Sequence, residues 1–224
     1  MVVGSFIAAL LPARAACRQG ASARAGGWRA MGKKKKAKRG AKQLVDADID
    51  LGHGVAAELR HHPVVKVAGT LSEVADQPPM VAINLSTIAA GLIAQDARLT
   101  RTGIRMLMAH GLATLAKSAI KHNVDRARPK LFASREAHRP KPGDHDEGPH
   151  NSFPSGHTAG AVAVARAVAR EYPQAAVPVH AAAATIAAIQ VPRGTHFPID
   201  VVAGAVIGWA AEAIVARVMP EAGS

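Results

Sequence analysis

Three short polar stretches in this 224-residue chain carry side chains that can hold an anion and move protons around it. In the first, Lys121 and Arg128 stand seven apart and the run ends at Pro129, so a helix stopping there presents two cations at one end. Charges that simply complement a helix C-terminus have the same pattern. In the second, Pro154-Ser155-Gly156-His157 leads into an Ala/Val-rich helix that starts at Thr158. Free N–H groups at a helix start, a glycine that allows close approach and the Ser155 hydroxyl form an anion site, with His157 as a proton donor beside it. Ser155 taken alone reads equally well as a helix cap. The third runs from Arg193 through His196 to Asp200, with Gln190 three residues before the arginine. A helix beginning near Phe197 or Pro198 puts the Asp200 carboxylate one turn beyond His196, within reach of Nδ1–H. That bond would leave Nε2 free to attack. A surface His–Asp pair is the other reading.

These stretches are set by the apolar segments between them. Pro78-Pro79 marks a helix start, and the window from Gln77 to Gln95 holds 19 residues without charge, close to the ~20 that cross a bilayer. Thr102–Ile120, Thr158–Tyr172 and Ile199–Met219 are apolar with scattered charges, and Tyr172–Pro192 is charge-free but mostly alanine. Alternating strand patterns are missing, and the Ala-rich runs exceed strand length. The expected fold is all-α, a helical bundle of about five core helices, with small residues letting helices approach closely in a membrane. A soluble bundle with small-residue interfaces is the alternative. With up-down alternation, the three polar stretches fall at one end of the bundle. The segment Ser134–Asn151, rich in Pro and Gly, is expected to form a mobile loop over them.

Net charge is +12, yet eleven of the 28 Lys and Arg precede the first acid, Asp46. The basicity belongs to a tail, expected to be disordered over residues 1–43 and followed by one folded domain over 44–224. Val2–Leu11 followed by Ala13-Arg14-Ala15 has the form of a signal sequence without its leading charge; alternatively the chain starts at Met31. The lysine run at 33–36 suits anionic headgroups, a nucleic acid or plain solvation. A near-neutral body and seven aromatics argue against nucleic acid as a partner. One cysteine, Cys17, excludes a disulfide framework and a cysteine-clustered zinc site.

In order, Lys121 with Arg128-Pro129, Pro154-Ser155-Gly156-His157, and His196 with Asp200 resemble the type 2 phosphatidic acid phosphatase (PAP2) superfamily. That superfamily takes in lipid phosphatases, bacterial acid phosphatases and vanadium haloperoxidases. The resemblance covers about residues 71–217, including a weaker match at Asp76-Gln77-Pro78-Pro79. It implies that Lys121, Arg128, Ser155 and the N–H of Gly156 hold the phosphoryl oxygens, that His196 is the nucleophile and Asp200 its orienting partner. His157 is then the acid that protonates the leaving oxygen. A phosphohistidine would form and be hydrolysed, with no metal and no cofactor demanded. The implied protein is a multi-pass bacterial inner-membrane phosphatase acting on a lipid phosphate or polyprenyl diphosphate. A vanadate-dependent haloperoxidase and a non-catalytic membrane- or polyanion-binding protein are the alternatives. The family's third motif usually opens with Ser-Arg six and seven residues before the histidine, where this chain has Ile189 and Gln190. Arg193 is expected to reach the phosphate instead, with Gln190 as a neutral contact.

Overall fold

The computed structural model describes residues 36, 38–131, 133–144 and 148–220. The chain divides between Asp46 and Ala47. In the first part the described residues, 36 and 38–46, are helical. The remainder of the expected tail, with both candidate starts, lies outside the described residues.

In the second part α1 covers residues 47–59, and α2 (Pro63–Ser72) starts under a cap from His62, whose Nδ1 accepts from the N–H of Val64 at 3.3 Å. A turn at Glu73–Ala75 leads into α3 (Gln77–Ile93), where Pro78 and Pro79 occupy first-turn positions whose N–H groups have no helical acceptor. Gln95 then takes a left-handed conformation (φ 53°), and Asp96 caps α4 (Ala97–Lys121) by accepting from the N–H of Leu99 at 2.9 Å. After a two-residue antiparallel ladder between β1 (Val124–Asp125) and β2 (Lys141–Pro142) come α5 (Gly156–Glu171), α6 (Ala176–Ile189) and α7 (Pro198–Val218). The fold is all-α, with α3–α7 as the bundle.

Two expected features differ. The charge-free run Tyr172–Pro192 is not one helix: a 3₁₀ turn at Pro173–Ala175 delays α6, which holds 14 residues. The segment Ser134–Asn151 is tied down at several points. β2 pairs with β1, His138 and Asn151 are buried, and the N–H of Ala127 donates to the carbonyl of Ala137 at 2.9 Å. Composition favoured a loop there, but tertiary partners outside the segment hold it.

Helix α5 lies centrally, packed on α4, α6 and α7, while α4 also packs on α3. The contacts are made by small side chains: Ala109 and Ala113 of α4, Ala159, Ala163 and Ala167 of α5, and Ala211 of α7. A Cβ at Gly208 would come 2.3 Å from the carbonyl oxygen of Ala159, so only glycine lets α7 lie this close to α5. Larger apolar residues point outward: Leu85 and Ile93 of α3, Leu115 of α4, Val177 of α6, and Val202, Val206 and Trp209 of α7 are all exposed. Away from the site, Arg105 and Glu212 are wholly buried between helices. Arg105 Nε donates to Glu171 at 2.8 Å, and Arg170 Nε donates to Glu212 at 2.7 Å. Such charges are tolerable in a bundle interior because each has an opposite partner.

Candidate active site

The C-terminus of α4, the N-terminus of α5 and the approach to α7 meet at one end of the bundle. There Asp76, His110, Lys117, Lys121, Arg128, Gly156, His157 and His196 line a cavity of about 120 Å³. Five sequence-predicted residues therefore share one site: Lys121, Arg128, Gly156, His157 and His196. Lys121 is aimed by its own bond, Nζ donating to the carbonyl of Asn151 at 2.7 Å. Arg128 follows β1, and its backbone N–H donates to the carbonyl of Pro149 at 3.1 Å.

His196 sits at the end of a tight turn that Gly194 makes possible with a positive φ of 68°. The turn closes as the N–H groups of Thr195 and His196 both donate to the carbonyl of Gln190. The imidazole is 2 % exposed. Its Nδ1 lies 2.7 Å from the carbonyl oxygen of Ser152, which can only accept, so Nδ1 carries the proton and Nε2 the lone pair. Burial first, and then the nearby charges of Arg128 and Lys121, hold this imidazole well below its ordinary pKa, against the opposing pull of the Ser152 carbonyl. It is neutral at neutral pH. Burial also lowers the pKa of Arg128, whose guanidinium nonetheless stays charged.

Asp200 departs from its expected contact. Its Oδ2 lies 3.9 Å from His196 Nδ1, too far for a hydrogen bond, because that oxygen accepts from the N–H of Phe197 at 2.8 Å and closes the first turn of α7. Its other oxygen is paired with Arg126. Arg126 is fully buried and also pairs with Asp48 of α1, whose second oxygen accepts from the N–H of Ile199 at 2.8 Å. The guanidinium lies 4.1 Å from the centroid of the Phe197 ring, and the Arg126 carbonyl accepts from the N–H of Ser152 at 2.8 Å. One residue thus contacts both Asp200, through its side chain, and Ser152, through its backbone carbonyl.

Ser155 takes its capping role: it is buried, accepts from the N–H of Thr158 at 3.4 Å, shares a 2.9 Å bond with the Thr158 hydroxyl, and does not line the cavity. Arg193 and Gln190 are also engaged elsewhere. Arg193 donates to Ser72 Oγ at 2.9 Å and to Glu73 at 3.0 Å, and Gln190 is wholly buried between Ser72, Ile186 and Thr195. Neither borders the cavity. The end of α2 therefore claims the cation expected at the phosphate. Oδ1 of Asp76 lies 2.9 Å from Nε2 of His157, without hydrogen-bond alignment; burial lowers the pKa of this imidazole and the Asp76 carboxylate opposes that shift.

Sequence reading missed Asp48, Lys117, Arg126 and Ser152 and met Asp76 only in the weaker match at Asp76-Gln77-Pro78-Pro79. Lys117 alone carried a local signal, since it sits one turn before Lys121 on the same helix face.

An all-α bundle that gathers a neutral buried histidine, a second histidine, several cations and a helix N-terminus around one small cavity defines a phosphoryl-transfer class of site. Residues 102–224 match the PAP2 superfamily, more than half the chain, and the chain belongs to that superfamily as a phosphatase-type hydrolase. Among solved structures it is similar to a transmembrane PAP2-type phosphatidylglycerolphosphate phosphatase from Bacillus subtilis, at 20 % identity and TM-score 0.60. That match covers 81 % of this chain and 90 % of the other. It is also similar to LpxE of Aquifex aeolicus, at 20 % identity and TM-score 0.53, covering 75 % and 93 %. No curated protein sequence matches the chain.

Proposed function

We propose that this protein is a membrane-embedded lipid phosphatase that works through a phosphohistidine and needs no metal. The observation that carries this reading is the neutral His196 held by Ser152 against a cavity lined by Lys121, Arg128, Gly156 and His157. Nε2 of His196 attacks phosphorus, and the bond from phosphorus to the leaving oxygen breaks as His157 passes that oxygen its proton. Water then attacks the phosphohistidine, the P–N bond breaks, and His157 recovers a proton from the water. Lys121, Arg128 and the Gly156 N–H hold the equatorial oxygens, where charge accumulates.

The membrane placement is supported by the outward apolar faces of α3, α4, α6 and α7. Helix α7, with 21 residues, is the one among those described that is long and apolar enough by itself to cross a bilayer; at 1.5 Å per residue it covers about 31 Å. The substrate class is a phosphate or diphosphate ester on a lipid, polyprenyl diphosphates included. The similar phosphatidylglycerolphosphate phosphatase is named for a lipid phosphate.

The test is phosphate release from phosphatidate and from a polyprenyl diphosphate in detergent micelles. Wild-type protein is expected to release phosphate in EDTA and to trap acid-labile label from a ³²P-phosphorylated substrate, whereas folded His196→Ala does neither. Wild-type rates in His196→Ala would overturn the mechanism.

A further inference from the structure

The cavity contains a cation that the mechanism above leaves without a task. Lys117 lies on α4 one turn before Lys121, so both ammonium groups reach the same wall of the cavity. Its side chain runs across Gly156, the first residue of α5: a Cβ there would come 3.1 Å from Nζ and 3.3 Å from Cδ. The ammonium is thereby set beside the free N–H groups of the α5 N-terminus, where an anion would be held. No protein group has claimed it as a donor, since Nζ has no hydrogen-bond acceptor among the described residues. Lys121, by contrast, already spends one N–H on Asn151, while Arg193 is occupied by Ser72 and Glu73.

Lys117 is half-buried, and its three donors face a cavity in which a phosphoryl group would supply acceptors. We infer that Lys117 is a catalytic residue, donating to a nonbridging oxygen of the transferring phosphoryl group alongside Lys121 and Arg128. This rests on the phosphatase reading and adds a residue to it. It also accounts for the position of Gly156. A Cβ there would press on the Lys117 stem and make it give way slightly, so the glycine leaves room for the cation as well as for the anion. Phosphoryl charge grows on the nonbridging oxygens as the transition state forms, so the interaction belongs more to kcat than to KM.

The discriminating variant is Lys117→Met, which keeps the apolar stem over Gly156 and removes the charge. Lys117→Arg restores the charge with a longer reach, and Lys117→Gln serves should the methionine variant fail to fold. Two readouts are taken on full-length protein in detergent: hydrolysis of phosphatidate, and binding of inorganic phosphate by calorimetry. The expected result is a loss of about a hundredfold in kcat for Lys117→Met, with weaker phosphate binding and substantial recovery in Lys117→Arg. If the wild type hydrolyses phosphatidate and folded Lys117→Met or Lys117→Gln does so equally well, the inference is overturned and the phosphatase reading stands. If phosphate binding depends on Lys117 but the wild type hydrolyses nothing, the anion contact stands and the phosphatase reading falls. A fall in kcat for folded Lys117→Met with phosphate binding unchanged also supports the inference, because the contact is then made in the transition state.

Discussion

On the proposed mechanism, the reactivity of His196 depends on which of its nitrogens is occupied and on the charges around it. The Ser152 carbonyl fixes the proton on Nδ1, and burial together with Arg128 and Lys121 disfavours a second proton on the ring. Protonated imidazole cannot attack, so the acid limb that reports this group lies below the ordinary imidazole value of about 6.5. Replacing Arg128 by methionine removes a charge that depresses this pKa. The limb of kcat/KM is therefore expected to move toward neutral pH, beyond the overall fall caused by losing a phosphate contact. Profiles of wild type and Arg128→Met on p-nitrophenyl phosphate test this, because a shared substrate cancels its own ionisation. Coincident limbs would mean that another group titrates. The residues that sequence alone could find, Lys121, Arg128, Gly156, His157 and His196, sit at helix ends that proline, glycine and serine mark locally. Asp48 could not be found that way. Its acceptor role for Ile199 spans 151 residues, and no periodicity encodes such a contact.

At the scale of elements, the site depends on a helix that contributes nothing to the cavity itself. Through Asp48, α1 holds both Arg126 and the first turn of α7, and the Arg126 carbonyl accepts from the N–H of Ser152, the residue whose own carbonyl meets His196. Breaking one arm of a buried ion pair leaves the other charge uncompensated, a cost of about 3–5 kcal/mol. Asp48→Asn is expected to approach the lower end of that range, because Asp200 still pairs with Arg126. Thermal denaturation in detergent measures it. A displaced α7 start would lower kcat with little change in KM, since Asp48 does not touch the cavity; an unchanged kcat would show that α1 is a bystander. The same element explains why the expected His196–Asp200 bond is absent. Four-residue spacing brings the two side chains to one face, but the N–H of Phe197 and the buried guanidinium compete for the carboxylate and win.

At the largest scale, the bundle α3–α7 is packed inside out compared with a soluble one. Alanine and glycine fill the helix contacts, while leucine, isoleucine, valine and tryptophan face outward. In water this would leave much of the apolar surface unburied, and in lipid it costs nothing. Trp209 of α7 is 54 % exposed on that surface. In a Trp28→Phe background its fluorescence should be strongly quenched by phospholipids brominated on their acyl chains and only weakly by aqueous acrylamide. The reverse order would place α7 in water. Sequence reading reached this architecture through the Ala-rich segments, while composition alone did not show where in the charge-free Tyr172–Pro192 run the Pro173 turn would fall.

The near-contact of α7 with α5 at Gly208 also has a consequence for how this chain can change over time. Where two backbones almost touch, there is no side-chain layer to rearrange, and any larger residue must push whole helices apart. Outside, with lipid around the bundle as proposed, one apolar residue can replace another with little penalty, because fluid acyl chains conform to either shape. The usual map of mutational tolerance is therefore reversed in size at these seams: the Ala and Gly contacts of α4, α5 and α7 admit almost nothing bigger, while the periphery is free to drift among bulky residues as long as it stays greasy.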